Sequence, residues 1–227
     1  MVRKMVRALS LSLVALTLIA VVNQTAQAGP PLICHPLDIG NAKSLPWGGT
    51  AWRAIKTDYK INRLVEDTLA LLGSDMPVIV RMETLRRAAV YATGDRQVAI
   101  ALHSRLLARA RNVAGKSGAL AHFDVGYLEE TYKQLIAISG DMSFAKNLNG
   151  YSSVVKAISL RGGDAEMELA AAMITERPRR SSHDAHFRKA AAGAAEGSLL
   201  ARNLVTHFGN RGRSIAEIRA RLGMAKN

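Results

Sequence analysis

The segment AAVYATGDRQVAIALHSRLLARA, Ala88 to Ala110, decides the fold class. Apolar residues recur at helical spacing on both sides of one break: Val78, Met82, Leu85, Ala89 and Ala92 before it, then Val98, Leu102, Leu106, Ala110 and Val113. The break is Gly94-Asp95, and both residues have the chemistry of a helix junction. Glycine accepts the left-handed conformation that closes one helix, and the aspartate carboxylate receives the free amides that open the next. Two helices joined by so short a turn must run antiparallel.

The same punctuation repeats outward along the chain. Gly73, Gly94, Gly118, Gly140 and Gly163 lie 21, 24, 22 and 23 residues apart, and Ser74-Asp75, Asp95, Asp141 and Asp164 follow four of them. Each unit predicts one helix of ~20 residues, ~30 Å long, ending on a left-handed glycine. The β-branched run Val78-Ile79-Val80 sits inside a helical stripe, so no strand is expected. The predicted fold is all-α: antiparallel helical hairpins in a repeat-like bundle or short solenoid. Asn149-Gly150 predicts a kink or short break in the helix that starts at Asp141. After Pro178 the pattern predicts a linker, then one long helix from an N-cap at Ser182 to about Phe208. Its stripe of Phe187, Ala190, Ala194, Gly197, Ala201, Leu204 and Phe208 suits packing within the chain or the seam of a homodimer. Ser214-Ile215-Ala216-Glu217 reads as a capping box that opens a terminal helix.

The Gly-Asp turns resemble the tetratricopeptide repeat. Gly94-Asp95 is followed by Ala99, five residues beyond the glycine, and LIAISGDMSFA repeats this with Gly140-Asp141 and Ala145. That family has a period of ~34 residues, whereas two units here, Gly73 to Gly118, span 45, closer to HEAT-like helical pairs. The resemblance implies stacked antiparallel hairpins with a groove and carries no binding residues. The stretch CHPLDIGNAKSLPW is similar to the opening of secreted bacterial proteins without an assigned activity.

The first residues place Arg3, Lys4 and Arg7 ahead of an apolar run from Leu9 to Val22, with Ala26-Gln27-Ala28 after it. This predicts a secretory signal peptide over residues 1–28, and an exported, periplasmic or extracellular protein. The run is shorter than the ~20 residues needed to span a bilayer. One cysteine excludes an internal disulfide, so stability must come from apolar packing. The net charge of +13 is concentrated at the end of the chain. Residues 177–227 carry eleven Lys and Arg against Asp184, Glu196 and Glu217, a net +8, and nine of the eleven are arginine.

Four features bear on chemistry. The arm over residues 29–49 contains Cys34-His35, with Asp38 nearby, among Pro30, Pro31, Pro36 and Pro46. Nucleophilic catalysis would need the imidazole within reach of the sulfur, yet adjacent residues in an extended segment point apart. An arm laid over the helices, burying Leu32, Ile33, Leu37, Ile39 and Trp47, is expected instead. His183 and His186, three apart, could grip one metal ion, but two ligands make no site, and His207 would lie roughly 36 Å away along the long helix. His103 and His122 read as borders of the core. The carboxylates Glu129-Glu130 and Glu166/Glu168 fall at exposed-looking helical positions, and no phosphate loop, nucleophile elbow or zinc-enzyme helix motif is present.

The basic C-terminal run is the sharpest feature. Arginine's planar fork suits phosphates and carboxylates. Export separates the protein from most nucleic acid, which leaves an acidic protein or an anionic envelope component as the expected partner, held by Arg177, Arg179, Arg180, Arg188, Lys189, Arg211 and Arg213. The sequence therefore predicts a signal peptide (1–28), a Pro-rich arm (29–49), a helical-hairpin array (50–177) and a basic helical segment of the same domain (178–227). It predicts a non-enzymatic interaction or scaffold protein of the bacterial envelope without a cofactor. The alternative is an enzyme, or a haem- or metal-binding protein, that uses the Cys34-His35 arm.

Overall fold

The computed structural model describes residues 30–113, 115–176 and 181–224. Among them are ten α-helices and no strand, so the chain is all-α. They are α1 (Pro31–Cys34), α2 (Leu64–Leu71), α3 (Val78–Ala92), α4 (Arg96–Arg111), α5 (Ala119–Leu135), α6 (Gly150–Arg161), α7 (Ala165–Thr175), α8 (His183–Gly193), α9 (Leu199–His207) and α10 (Ile215–Arg221). Short 3-10 turns cover Ile61–Arg63, Gly115–Gly118, Gly140–Asn147 and Gly209–Arg211. The predicted signal peptide, Arg177, Arg179, Arg180 and Lys226 lie outside the described residues.

Two helices form the centre. Nearly every residue of α3 and most of α5 are buried, which is why their patterns are apolar on more than one face. Helices α1, α4, α6 and α7 surround them, and α8 lies antiparallel on α7. Helix α6 begins where it crosses α5. Gly126 and Gly150 meet there, and a Cβ at either would overlap the other's carbonyl oxygen. Two glycines thus let the backbones of α5 and α6 touch.

Charges are buried in this core because they are paired. Arg81 on α3 donates from Nε and Nη2 to Asp124 on α5, at 2.8 and 2.9 Å, with both side chains fully buried. Its remaining donors reach the carbonyls of Leu72 and Gly73 at the end of α2, and Arg109 donates to Leu72 as well. A bidentate pair with its other hydrogens satisfied is the form in which buried ions are tolerated.

The helix junctions correct the expected glycine rule. Asp95 and Asp164 cap α4 and α7 as predicted, each accepting two amides. Of the five punctuating glycines, however, only Gly163 has a positive φ, together with Gly162 before it. The end of α2 has no left-handed glycine, and Arg81 and Arg109 take the carbonyls of Leu72 and Gly73 that follow it. At Gly94 the Thr93 hydroxyl donates to the Val90 carbonyl, and the Asp95 amide donates to Ala92. The segment after Gly140 is a 3-10 turn rather than an α-helix, and the break expected at Asn149-Gly150 is the start of α6.

The long helix predicted from Ser182 to Phe208 is two helices, α8 and α9. Gly197 turns left-handed at φ +72°, and the Ser198 hydroxyl accepts the Ala201 amide to open α9. Gly197-Ser198 is the same glycine-then-cap signal, hidden in an alanine-rich stretch. Phe187, Ala190, Ala194, Ala201, Leu204 and Phe208 are buried in the chain's own core. The capping box at Ser214 forms in modified shape: its hydroxyl accepts the Glu217 amide, while the Glu217 carboxylate takes the amide of Arg213.

Candidate functional site

The Pro-rich arm is clasped by charges on α3. Glu83, fully buried, accepts from Arg86 at 2.7 and 2.8 Å, from Arg87 at 2.7 Å and from the arm's Leu37 amide at 3.0 Å. Arg86 then donates to the carbonyls of Ile33 and Trp52, and Arg87 to that of Leu45. The Trp47 ring lies over both guanidinium groups, 4.8 Å from Arg86 and 5.6 Å from Arg87. Tyr91 donates to the Pro46 carbonyl. Leu32, Ile33, Leu37 and Ile39 are buried and Trp47 partly so, as expected, although residues 31–34 form a helical turn rather than an extended strand.

Cys34, His35 and Asp38 do not come together. Asp38 accepts from Arg202 on α9 at 2.6 Å, and this bond pulls its carboxyl below the usual range. The His35 ring packs edge-on against His207, centroids 6.0 Å apart. Burial pushes the Cys34 thiol up, against the smaller opposing pull of Arg86; an activated thiolate requires the reverse. The break between α8 and α9 is what brings His207 back to the arm. Its ring is buried and its Nε2 has no hydrogen-bond partner, and burial together with neighbouring His35 holds it near a pKa of about 4.

His183 and His186 turn to different partners. His183 Nδ1 lies 2.9 Å from the Ala172 carbonyl and its Nε2 faces Arg211, while His186 faces Glu168 and Tyr151. Among the described residues no three His, Cys, Asp or Glu groups are arranged to hold a metal ion.

The paired carboxylates are placed differently from expectation. Glu129, Glu130 and Glu168 are buried, because each has a base or amide to meet: His103, Lys133 with the Tyr151 amide, and His186 with Lys189. Glu166, raised by burial, accepts the Ile79 amide at the open end of α3. His103 and His122 are half-buried at the edge of the core, as predicted. A cavity of 460 Å³ opens beside the Gly162-Gly163 turn, with Glu168 and Lys189 in its wall.

The C-terminal cations divide into two sets. Arg211 pairs with Asp184 and stacks on Phe187, Arg202 pairs with Asp38, and Arg219 donates to the carbonyls of Ala191, Ala192 and Ala194 at the end of α8. These hold α8, α9 and α10 and the arm together. Arg188, Lys189, Arg213 and Arg221 are exposed, with Arg188 and Arg221 steadied by carbonyls of Leu222 and Asn210. Sequence reasoning missed Glu83, Arg86 and His207. The available signal was Arg86, four residues after Met82 on a buried stripe, with Glu83 three before it. No protein-family model, curated protein or solved structure matches the chain.

Proposed function

We propose that this chain is an exported interaction protein of the bacterial envelope whose basic C-terminal face holds an anionic partner, an acidic protein or an anionic envelope polymer or lipid. The observation that carries this reading is the exposure of Arg188, Lys189, Arg213 and Arg221 on elements fixed by the other arginines. A rigid frame presents charge without first ordering it, which lowers the entropic cost of binding. Export is supported by the basic and apolar start of the sequence, and no described helix is long and apolar enough to cross a membrane.

Binding to vesicles of anionic lipid and to an acidic polymer tests the proposal. Replacing Arg188, Arg213 and Arg221 by Gln is expected to weaken association by about 1 kcal/mol per residue. The same change at exposed Lys56, Arg96 and Arg105 should have a smaller effect, and raising salt to 0.15 M should weaken wild-type binding as screening shortens to ~8 Å. Equal losses from the two sets would reduce the interaction to net charge. No binding at low salt would overturn the proposal.

A further inference from the structure

Four side chains from three elements of the C-terminal half form one hydrogen-bonded chain. Glu168 on α7 places Oε2 2.5 Å from His186 Nδ1 on α8. The other ring nitrogen, Nε2, lies 2.8 Å from Tyr151 Oη on α6, and Tyr151 donates to Ser182 Oγ at 2.9 Å. Glu168 and His186 are buried, whereas Tyr151 and Ser182 are half-buried at the outer end. The Tyr151 ring packs edge-on against His186, centroids 5.8 Å apart, which fixes the angle between base and hydroxyl.

Two features separate this chain from an ordinary satisfied cluster. Ser182 occupies the N-cap of α8, where a hydroxyl usually accepts a helix amide and contributes about 1 kcal/mol. It makes no such bond and meets Tyr151 instead. The order carboxylate, imidazole, hydroxyl is also that of an activated oxygen nucleophile, here with the Tyr151 hydroxyl standing between the base and Ser182.

We propose that Glu168, His186 and Tyr151 form a proton relay that activates Ser182 for acyl transfer from carboxylic esters. With His186 neutral, its one ring hydrogen on Nδ1 toward Glu168 and Nε2 bare, the two hydroxyl hydrogens turn so that Ser182 donates to Tyr151 and Tyr151 to Nε2, a rotation that leaves the heavy atoms in place. Ser182 Oγ then bonds to the ester carbonyl carbon. Its proton passes to Tyr151 while the Tyr151 proton passes to Nε2, and Glu168 holds the resulting imidazolium. Collapse of the tetrahedral adduct breaks the bond to the alcohol oxygen. The relay returns the proton to that oxygen, releasing alcohol and leaving acyl-Ser182. Water attacks the acyl carbon by the same route and releases the carboxylic acid. Ser182 is the catalytic residue, and Glu168, His186 and Tyr151 position it and carry the proton.

A fluorophosphonate probe tests this on the folded full chain. Ser182 Oγ should displace fluoride from phosphorus to give one adduct, located at Ser182 by peptide mass spectrometry. Labelling should be lost in Ser182→Ala, retained in Ser181→Ala at the neighbouring exposed serine, and at least ~100-fold slower in His186→Gln. Because His186 is buried and its replacement can weaken folding, Tyr151→Phe is the second variant; it keeps the ring and removes the hydroxyl that links His186 to Ser182. The folded state of each variant is checked by circular dichroism, and the same series is read with p-nitrophenyl acetate as an ester. Labelling no faster than in urea, an adduct on another residue, or wild-type labelling in folded Tyr151→Phe would overturn the proposal. The anionic-partner binding is read separately, on vesicles and polymer, so either can fail alone.

Discussion

Glu83 shows how a single residue determines whether the arm stays docked. Its carboxylate meets two arginines and the Leu37 amide, and those arginines in turn hold the carbonyls of Ile33, Leu45 and Trp52. Removing the charge while keeping the shape, in Glu83→Gln, leaves the fully buried Arg86 without its counterion. Breaking one side of a buried pair typically destabilises by about 3 to 5 kcal/mol, a large part of the 5 to 15 that a domain of this size has. Urea unfolding should therefore show such a loss for Glu83→Gln, and a much smaller one for Arg87→Met, whose side chain is 17% exposed. Equal effects would mean that Arg86 finds other partners when Glu83 is neutral.

At the scale of elements, the glycines divide by what lies above them. Gly126 and Gly150 face each other's backbone where α5 crosses α6, so Gly126→Ala must separate two central helices. Overpacking of this kind is expected to cost about 1 to 3 kcal/mol. Gly94→Ala meets no atom within 4 Å and has no left-handed φ, so its thermal unfolding should stay within about 0.5 kcal/mol of wild type. Melting curves of the two variants check the contrast, and a similar loss from both would place the tight crossing elsewhere. This contrast also marks what was legible in the sequence. Periodicity and the caps at Asp95, Asp164 and Ser214 are local and were readable in the residues. Whether a glycine ends a helix or admits a neighbour depends on a partner far along the chain, and at Gly73 the deciding groups are Arg81 and Arg109. The candidate chain of Glu168, His186, Tyr151 and Ser182 was hidden for the same reason. Its bonded partners stand 18, 31 and 35 residues apart in the sequence and meet only because α6, α7 and α8 fold back on one another.

For the molecule as a whole, the arm and the C-terminal helices close on one buried histidine, and this sets a pH dependence. His207 lies between the arm's His35 and the charges of α3, with Arg86 disfavouring its protonation and Glu83 favouring it. Burial is the largest effect and holds the ring near a pKa of about 4, below the ~6.5 of an exposed histidine. Between these values the unfolded chain binds a proton that the folded chain refuses, so stability falls as pH falls from 6.5 towards 4. The full loss from this group is about 3 kcal/mol. Other carboxylates titrate in the same window, so the informative quantity is the difference between wild type and His207→Phe, a ring of similar shape that does not titrate. At pH 8 the variant should be at least as stable, because the unpartnered Nε2 is removed. On acidification its advantage should widen by about 3 kcal/mol as pH reaches 4 in urea-unfolding measurements. A difference that stays constant from pH 8 to 4 would show that His207 does not titrate on unfolding, and that the arm is not closed over a neutral imidazole.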